Sequence, residues 1–412
     1  MKIFKILAVA LVAALGFTAC DNKEPEHIYD DHSADLAGTW TCITGNYAEA
    51  LIIDADGTAV SYGVEDGEYW ENVRGTVVTK DGKITMTFED DDNFTGHFDI
   101  IPGVAFSLFE DNGERYTYQY CANDLADEII GMWVCQNSFA NTENDMLIQT
   151  FKEDGTSIMT GYISDMEDFV TNAGGSTYKV IGDLFINILP ADAVAGGVPP
   201  YMAMRLEYAP NGTGYGDIMT FAHYLANETK TTDTFLRIKQ HLELANNSYD
   251  YSNIYVTNVK ATDAEFEFAG QTLNLANMDG KFLDKMMKNL LFNVSFPSAD
   301  EIVYNYHYNG ETVPMPSPIV VDGNKMTIKK SVNDPAYKDI DVWTFQDQDN
   351  TQMHMYMPTY AFENFLANTI VEMMSNEGKL DLNNTEKVAE IYAAVTEAIE
   401  TINVSFIFKT AK

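Results

Sequence analysis

The stretch Asp35-Leu36-Ala37-Gly38-Thr39-Trp40-Thr41-Cys42 decides the reading of this chain, because it occurs a second time as Glu128-Ile129-Ile130-Gly131-Met132-Trp133-Val134-Cys135. Each copy is followed by an apolar run that ends in a turn. The first is Leu51-Ile52-Ile53-Asp54-Ala55-Asp56-Gly57-Thr58, and the second is Leu147-Ile148-Gln149-Thr150-Phe151-Lys152-Glu153-Asp154-Gly155-Thr156. Asp-Gly between extended runs marks a hairpin, because glycine accepts positive φ. Further on, Gly82-Lys83-Ile84-Thr85-Met86-Thr87-Phe88 resembles Gly182-Asp183-Leu184-Phe185-Ile186-Asn187-Ile188. Tyr120-Cys121-Ala122-Asn123-Asp124 resembles Tyr224-Leu225-Ala226-Asn227-Glu228. Self-similarity of this kind is the mark of tandem units, and it predicts two β domains over 35–125 and 126–228.

Inside each unit the runs are short and alternate, as from Lys83 to Phe88. Turns recur every ~8–12 residues, the spacing of a sandwich or an up-and-down barrel. Closing a barrel removes exposed sheet edges. The Gly-x-Trp that opens each unit resembles the lipocalin signature, and the Asp-Gly-Thr hairpins resemble the lipocalin-like domains of Bacteroidetes lipoproteins. That resemblance covers about half of the exported chain. It implies barrels closed at one end by Gly38 and Trp40 in the first and by Gly131 and Trp133 in the second. A small barrel is either filled by its own side chains or holds a ligand, and the sequence leaves both open.

The remainder, 229–412, mixes periodicities. Phe235, Ile238, Leu242 and Ala245 recur at helical spacing behind Asp233 or Thr234 as cap. Helices are also expected over Lys281–Leu291, Tyr360–Asn376 and Thr385–Thr401, the last with Asn383 and Glu386 as a capping box. Strand-like runs lie at Ile254–Val259, Glu265–Phe268, Ile302–Tyr308, Lys325–Lys330, Val342–Phe345, Thr351–Met357 and Val404–Phe408. Val321-Asp322-Gly323-Asn324-Lys325-Met326-Thr327-Ile328 echoes the hairpin near Lys80–Thr87. The whole therefore reads as mainly β: tandem lipocalin-like antiparallel barrels, then an α+β domain related to them and decorated with helices that cap one mouth.

The first residues place this assembly. Lys2 and Lys5 precede an uncharged, mostly apolar stretch from Ile6 to Phe17, and Thr18-Ala19 leads into Cys20. A basic start, a short apolar core and small residues before a cut describe a secretory signal, too short to span a bilayer. A cysteine at the cut resembles the bacterial lipobox, with Phe17 where leucine is usual. The resemblance implies a signal peptide over 1–19 and acyl chains, palmitate among them, on Cys20. Two or three such chains hold a protein firmly to a membrane. The acidic tether, 20–34, resembles the surface-export signal of Bacteroidetes lipoproteins, implying the outer membrane and its outward face; a periplasmic face is the alternative.

Composition limits the partners. The chain has 412 residues, with 25 Lys and Arg against 62 Asp and Glu and a formal net charge of −37. That balance excludes nucleic acid as a partner, since neutralising phosphates needs clustered cations, and it disfavours lying flat on anionic lipid. With Cys20 acylated, Cys42, Cys121 and Cys135 remain, enough for one bridge. Cys42 in the first strand and Cys121 in the last become neighbours on closure, so Cys42–Cys121 is the candidate disulfide.

Motifs for chemistry are missing: there is no Gly-x-Ser-x-Gly, His-Glu-x-x-His, P-loop, Gly-x-Gly-x-x-Gly or paired-cysteine zinc spacing. No cofactor or metal is called for. Asp54-x-Asp56-Gly57 lacks the later ligands of a calcium loop, and Glu89-Asp90-Asp91-Asp92, His27 and His32 read as solvated segments. Met353, Met355 and Met357 share one strand face and read as core rather than a soft-metal site. Two aromatic groups are candidate ligand contacts: Tyr62, Tyr69 and Trp70, and the alternating Tyr304, Tyr306 and Tyr308. The expectation is a non-catalytic binding protein for a small apolar molecule, a glycan or an envelope protein. The alternatives are an adhesive or structural protein with filled barrels, or an extracellular polymer-acting enzyme using carboxylates.

Overall fold

The computed structural model describes residues 33–410 apart from 46, 90–92, 111–112, 137–145, 164–167, 172–174, 195–198, 211–216, 225–229, 269–270, 278–279, 309 and 330–336. The signal peptide, Cys20, His27, His32 and most of the 89–92 acidic cluster lie outside these residues. The fold is mainly β, with three closed eight-stranded antiparallel barrels and a few helices toward the C-terminal end.

The first barrel is a simple meander: β1 (Gly38–Thr44), β2 (Tyr47–Ile53), β3 (Thr58–Glu65), β4 (Glu68–Lys80), β5 (Lys83–Phe88), β6 (Asn93–Ile101), β7 (Ala105–Phe109) and β8 (Arg115–Cys121), closed by β1 against β8. Asp-Gly turns join β3 to β4 and β4 to β5. There Asp66 and Gly67, then Asp81 and Gly82, all take positive φ, as two-residue hairpins demand. Alternation turns Trp40, Leu51, Ile53, Ile84, Met86, Phe106 and Tyr118 inward into one core.

The second barrel repeats this plan with β9 (Gly131–Gln136), β10 (Met146–Phe151), β11 (Thr156–Ile163), β12 (Asp168–Thr171), β13 (Ser176–Ile181), β14 (Leu184–Ile188), β15 (Tyr201–Ala209), β16 (Ile218–Tyr224) and β17 (Lys230–Ile238). Here β12 is an extra strand hung on β11, and the remaining eight close. The helix expected from Phe235 onward is thus corrected: β17 pairs with both β16 and β9 and completes the barrel. The misleading signal has a physical cause. Phe235 faces the barrel core, whereas Leu236 and Ile238 face the third barrel. An apolar run buried on both faces loses its period of two. The matched chain ends shift as well, since Tyr224 closes β16 rather than the last strand.

The third barrel runs through β18 (Ser248–Ala261), then a side hairpin of β19 (Glu265–Phe268) and β20 (Gln271–Asn274), and helix α1 (Gly280–Leu290). It continues with β21 (Leu291–Ser298), β22 (Glu301–Tyr308), β23 (Glu311–Asp322), β24 (Lys325–Ile328), β25 (Ile340–Gln346) and β26 (Gln352–Met357). Helices α2 (Thr359–Asn376) and α3 (Thr385–Ala398) precede the closing β27 (Ile399–Thr410). The order β18-β21-β22-β23-β24-β25-β26-β27 is the same meander with two insertions. Helix α3 is capped by Asn384, whose side chain accepts from the Lys387 amide, one residue later than the expected box. It stops at Ala398 because the following residues enter β27.

The barrels are joined through their outer walls. Ala48, Ala50 and Val64 of the first pack on Ile181, Leu184 and Ile186 of the second. Val134, Ile148 and Ile238 of the second pack on Phe345 and Tyr356 of the third. The link between the second and third barrels is clamped as well. Gln346, fully buried, donates to the Glu243 carbonyl (3.0 Å) and to the Tyr249 hydroxyl (2.7 Å), and its own carbonyl accepts from the Lys239 amide (2.8 Å).

Candidate functional site

The repeated tryptophans do the same thing twice. Trp40 and Trp133 are both fully buried. Each donates its indole N–H to a carbonyl four residues earlier, Leu36 and Ile129, at 2.7 Å. Gly38 and Gly131 sit at φ of 139° and 136°, where a side chain is strained. A Cβ on Gly38 would lie 2.6 Å from the Tyr120 ring. Opposite each tryptophan the last strand supplies a cover. Tyr120 pairs with Trp40, ring centroids 5.1 Å apart, and Arg237 pairs with Trp133, its guanidinium 4.7 Å from the ring. Arg237 also donates to the Glu128 carbonyl. Register, not sequence likeness, equates Tyr120 with Arg237, so the second cover was invisible to motif comparison.

Inside the first barrel, one pair along from Trp40, lies a buried polar cluster that sequence reasoning missed. Glu49 points inward and is only 7% exposed. Its carboxylate accepts from the Tyr47 hydroxyl (2.5 Å), from the Ser61 hydroxyl (2.5 Å) and from Tyr118. Trp70 donates to the Ser61 hydroxyl at 2.8 Å and its ring covers Gly63. Burial, with Glu49 as a further cause, raises the Tyr47 and Tyr118 hydroxyls well above the usual tyrosine range, so both remain donors. The one available signal was a glutamate set among apolar neighbours in Tyr47-Ala48-Glu49-Ala50-Leu51.

The candidate aromatic contacts separate. Trp70 lies inside the first barrel. Tyr62 and Tyr69 face outward and pack in the joint between the first and second barrels, where Tyr69 stacks on Tyr201 at 5.2 Å. Tyr304 and Tyr306 turn into the third barrel and stack at 6.0 Å, packed on its core. Tyr308 lies in β22, but its side chain is outside the described residues. Met353, Met355 and Met357 share that core.

The expected Cys42–Cys121 bridge is corrected. All three described cysteines are free. Register places Cys121 opposite Thr39, and side chains alternate, so Cys121 shares the outer face with Thr39 and Thr41 while Cys42 faces inward. Cys121 instead meets Asp183 of the second barrel at 3.0 Å and Thr41 at 3.5 Å. Burial, then the adjacent Asp183, pushes its thiol up to about 12, which leaves it unreactive. At the same joint Thr41 donates to Asp183 (2.6 Å), and Arg205 bonds Asp183 (2.8 Å) and Gln119 (2.7 Å).

An internal gap in the third barrel, lined by Tyr304, Tyr306, Met355 and Phe406 among others, has about 10 Å³ of free volume, room for no more than a water molecule. Two open depressions lie on the outside. One of about 380 Å³ is edged by Lys152, Ser157, Ser176 and Pro190, and one of about 470 Å³ runs along α3 beside Lys338 and Tyr392. Neither is lined by a carboxylate. Among the described residues no group of three or more His, Cys, Asp or Glu is placed to hold a metal, and no helix is long and apolar enough to cross a membrane.

No family profile matches the chain, and no curated protein is significantly similar to it. Among solved structures it is similar to transferrin binding protein B, a vaccine antigen of Haemophilus parasuis Hp5. A double mutant of that protein is 11% identical with a TM-score of 0.24, and a single mutant 10% identical with 0.23. The isotype 1 transferrin binding protein B of serogroup B Neisseria meningitidis is 9% identical with a TM-score of 0.21. Each match covers 89% of this chain and 66% of the other, so the chain spans just under two thirds of those proteins' length. Scores this low assign no function.

Proposed function

We propose that this chain is an exported lipoprotein, cut before Cys20 and held at the outer membrane by acyl chains on that thiol, whose barrels bind a glycan or an envelope protein on their outer surface. The observation that carries the reading is the filling of the barrel interiors. Trp40, Phe106 and Tyr118 occupy the first, and Phe151, Phe185 and Phe221 the second. The third is packed with Met353, Met355 and Phe406 and stoppered by Phe362 and Leu366 of α2. A filled barrel is a rigid support, and what remains for recognition is its exterior.

The anchor is tested by growing the expressing bacterium with an alkyne-tagged palmitate analogue. The wild-type protein should take up label and sediment with outer membranes. Cys20→Ser should lose the label and leave the membrane fraction. Label retained by Cys20→Ser would remove the anchor from the account.

A further inference from the structure

The first barrel, 38–121, contains only four Lys or Arg, namely Arg74, Lys80, Lys83 and Arg115, and a single histidine, His97. Register brings all of them except Arg74 into one cross-strand row. Lys80 of β4 lies opposite Lys83 of β5, and Lys83 opposite His97 of β6. His97 lies opposite Phe109 of β7, and Phe109 opposite Arg115 of β8. Ile84 and Leu108, one residue along from Lys83 and Phe109, turn into the core, so the row faces outward. Lys80, Lys83, His97 and Arg115 are all exposed. With neighbouring strands ~4.8 Å apart, the row runs about 19 Å along the wall. Arg74 stands well back along β4 and outside it.

Elsewhere in the molecule cations meet acids: Lys179 meets Glu71, Arg205 meets Asp183, Arg237 meets Asp217 and Lys325 meets Asp341. Among the described residues, none of Lys80, Lys83, His97 and Arg115 makes an ion pair. The acids nearest in the chain are placed off the row. Asp81 takes the turn between β4 and β5, Asp99 stands in the next row opposite Ser107, and Glu110 and Glu114 flank the β7–β8 connection. Arg115 is held ready: its guanidinium lies 5.4 Å over the Phe109 ring and donates to the Ser107 hydroxyl at 3.0 Å. A side chain fixed in advance loses less freedom on binding. In a chain with 62 acids against 25 bases, cations gathered without acid partners attract an anion to one wall while the rest of the surface repels it.

Charge and shape together select the ligand. Strands tilted by about 35–45° make such a row climb and bend about a quarter to a third of the way round an eight-stranded barrel. A flat bilayer touches only part of that curve, whereas a flexible polymer follows it. Three Lys and Arg are too few for nucleic acid, whose binding rests on many phosphate contacts. A polymer of sugars with sparse charge matches them: its acid groups meet the ammonium and guanidinium groups, and its hydroxyls meet the His97 imidazole. We propose that the row Lys80, Lys83, His97 and Arg115 binds an acidic polysaccharide. This narrows the outer-surface glycan of the proposed function to an acidic one, and rests on that reading.

The test titrates the complete mature chain, with Cys20→Ser throughout so that acyl chains play no part, into fluorescently labelled polygalacturonate, dextran sulfate and neutral dextran. Co-sedimentation with phosphatidylglycerol vesicles is measured alongside. Anisotropy should show saturable binding of the two acidic polymers at low salt, its loss at high salt, and no binding of neutral dextran. Lys80→Ala/Lys83→Ala should weaken binding at least about tenfold, the size of one or two lost charge-assisted bonds. Arg74→Ala changes the net charge as Lys83→Ala does, yet should stay within about twofold of the starting protein because it lies outside the row. Circular dichroism and a thermal melt establish that each variant is folded. Binding of the acidic polymers that survives Lys80→Ala/Lys83→Ala would overturn the proposal. So would binding to vesicles but to neither acidic polymer, which would make the wall a lipid contact. Binding of neutral dextran alone would overturn it and keep the broader glycan reading, whereas binding of none of the three polymers would count against both.

Discussion

At the scale of single residues, this molecule places polar groups inside barrels and joints, where some are held by local hydrogen bonds. Glu49 is held by hydroxyls, and Asp183 by Arg205 and Thr41. His354 is different. It lies on the outer face of β26, only 5% exposed, against Gln352, and its Nδ1 meets no hydrogen-bond partner among the described residues. Burial, with the Lys409 charge as a lesser cause, pushes its imidazole down from 6.5 to about 3. The sign follows from which state takes the proton. Below pH 6.5 the unfolded chain protonates this histidine while the folded chain does not. Stability from keeping it neutral is complete above pH 6.5 and is lost as pH falls toward 3. His354→Gln should flatten the fall in stability between pH 6.5 and 5 by about one proton, or at most ~1.4 kcal/mol per pH unit. Urea unfolding at several pH values measures it. Parallel pH profiles for variant and wild type would remove His354 as the cause.

At the scale of elements, walls that face two ways explain both the cohesion of the molecule and the limits of reading it. β14 turns Phe185 into its own barrel and Leu184 and Ile186 toward the first barrel. Arg205, with a side chain 9% exposed, holds Asp183 within the second barrel and reaches Gln119 of the first across that joint. Arg205→Ala should cost about 1–2 kcal/mol, because it removes the cation from a half-buried carboxylate and a bond to Gln119 of the first barrel, and should make the loops near the joint more open to limited proteolysis. A loss well under 1 kcal/mol would mean that the apolar contacts alone hold the barrels. The repeated Gly-x-Trp, the Asp-Gly hairpins and the amphipathic helices of the last barrel were legible because each follows from local conformation or period. β17 was not, since burial on both faces erased its alternation. β23 escaped for the opposite reason: prolines normally argue against a strand, and only an edge tolerates them. Glu49 and Arg237 were hidden because their roles come from register across a closed barrel, which no local pattern carries. The Cys42–Cys121 pairing failed on register too: adjacent strands are not enough when two side chains point to opposite faces of the wall.

At the scale of the whole molecule, three barrels packed with their own side chains are joined wall to wall. Its charge of −37 keeps copies apart in solution. The central claim is that the interiors belong to the protein's own side chains. Native mass spectrometry on the lipidated protein, purified gently from the bacterium that makes it, tests this most directly. The account expects one mass, that of the processed and acylated chain, unchanged across growth media and on denaturation. A discrete additional mass that leaves on denaturation would show an occupied interior and contradict it.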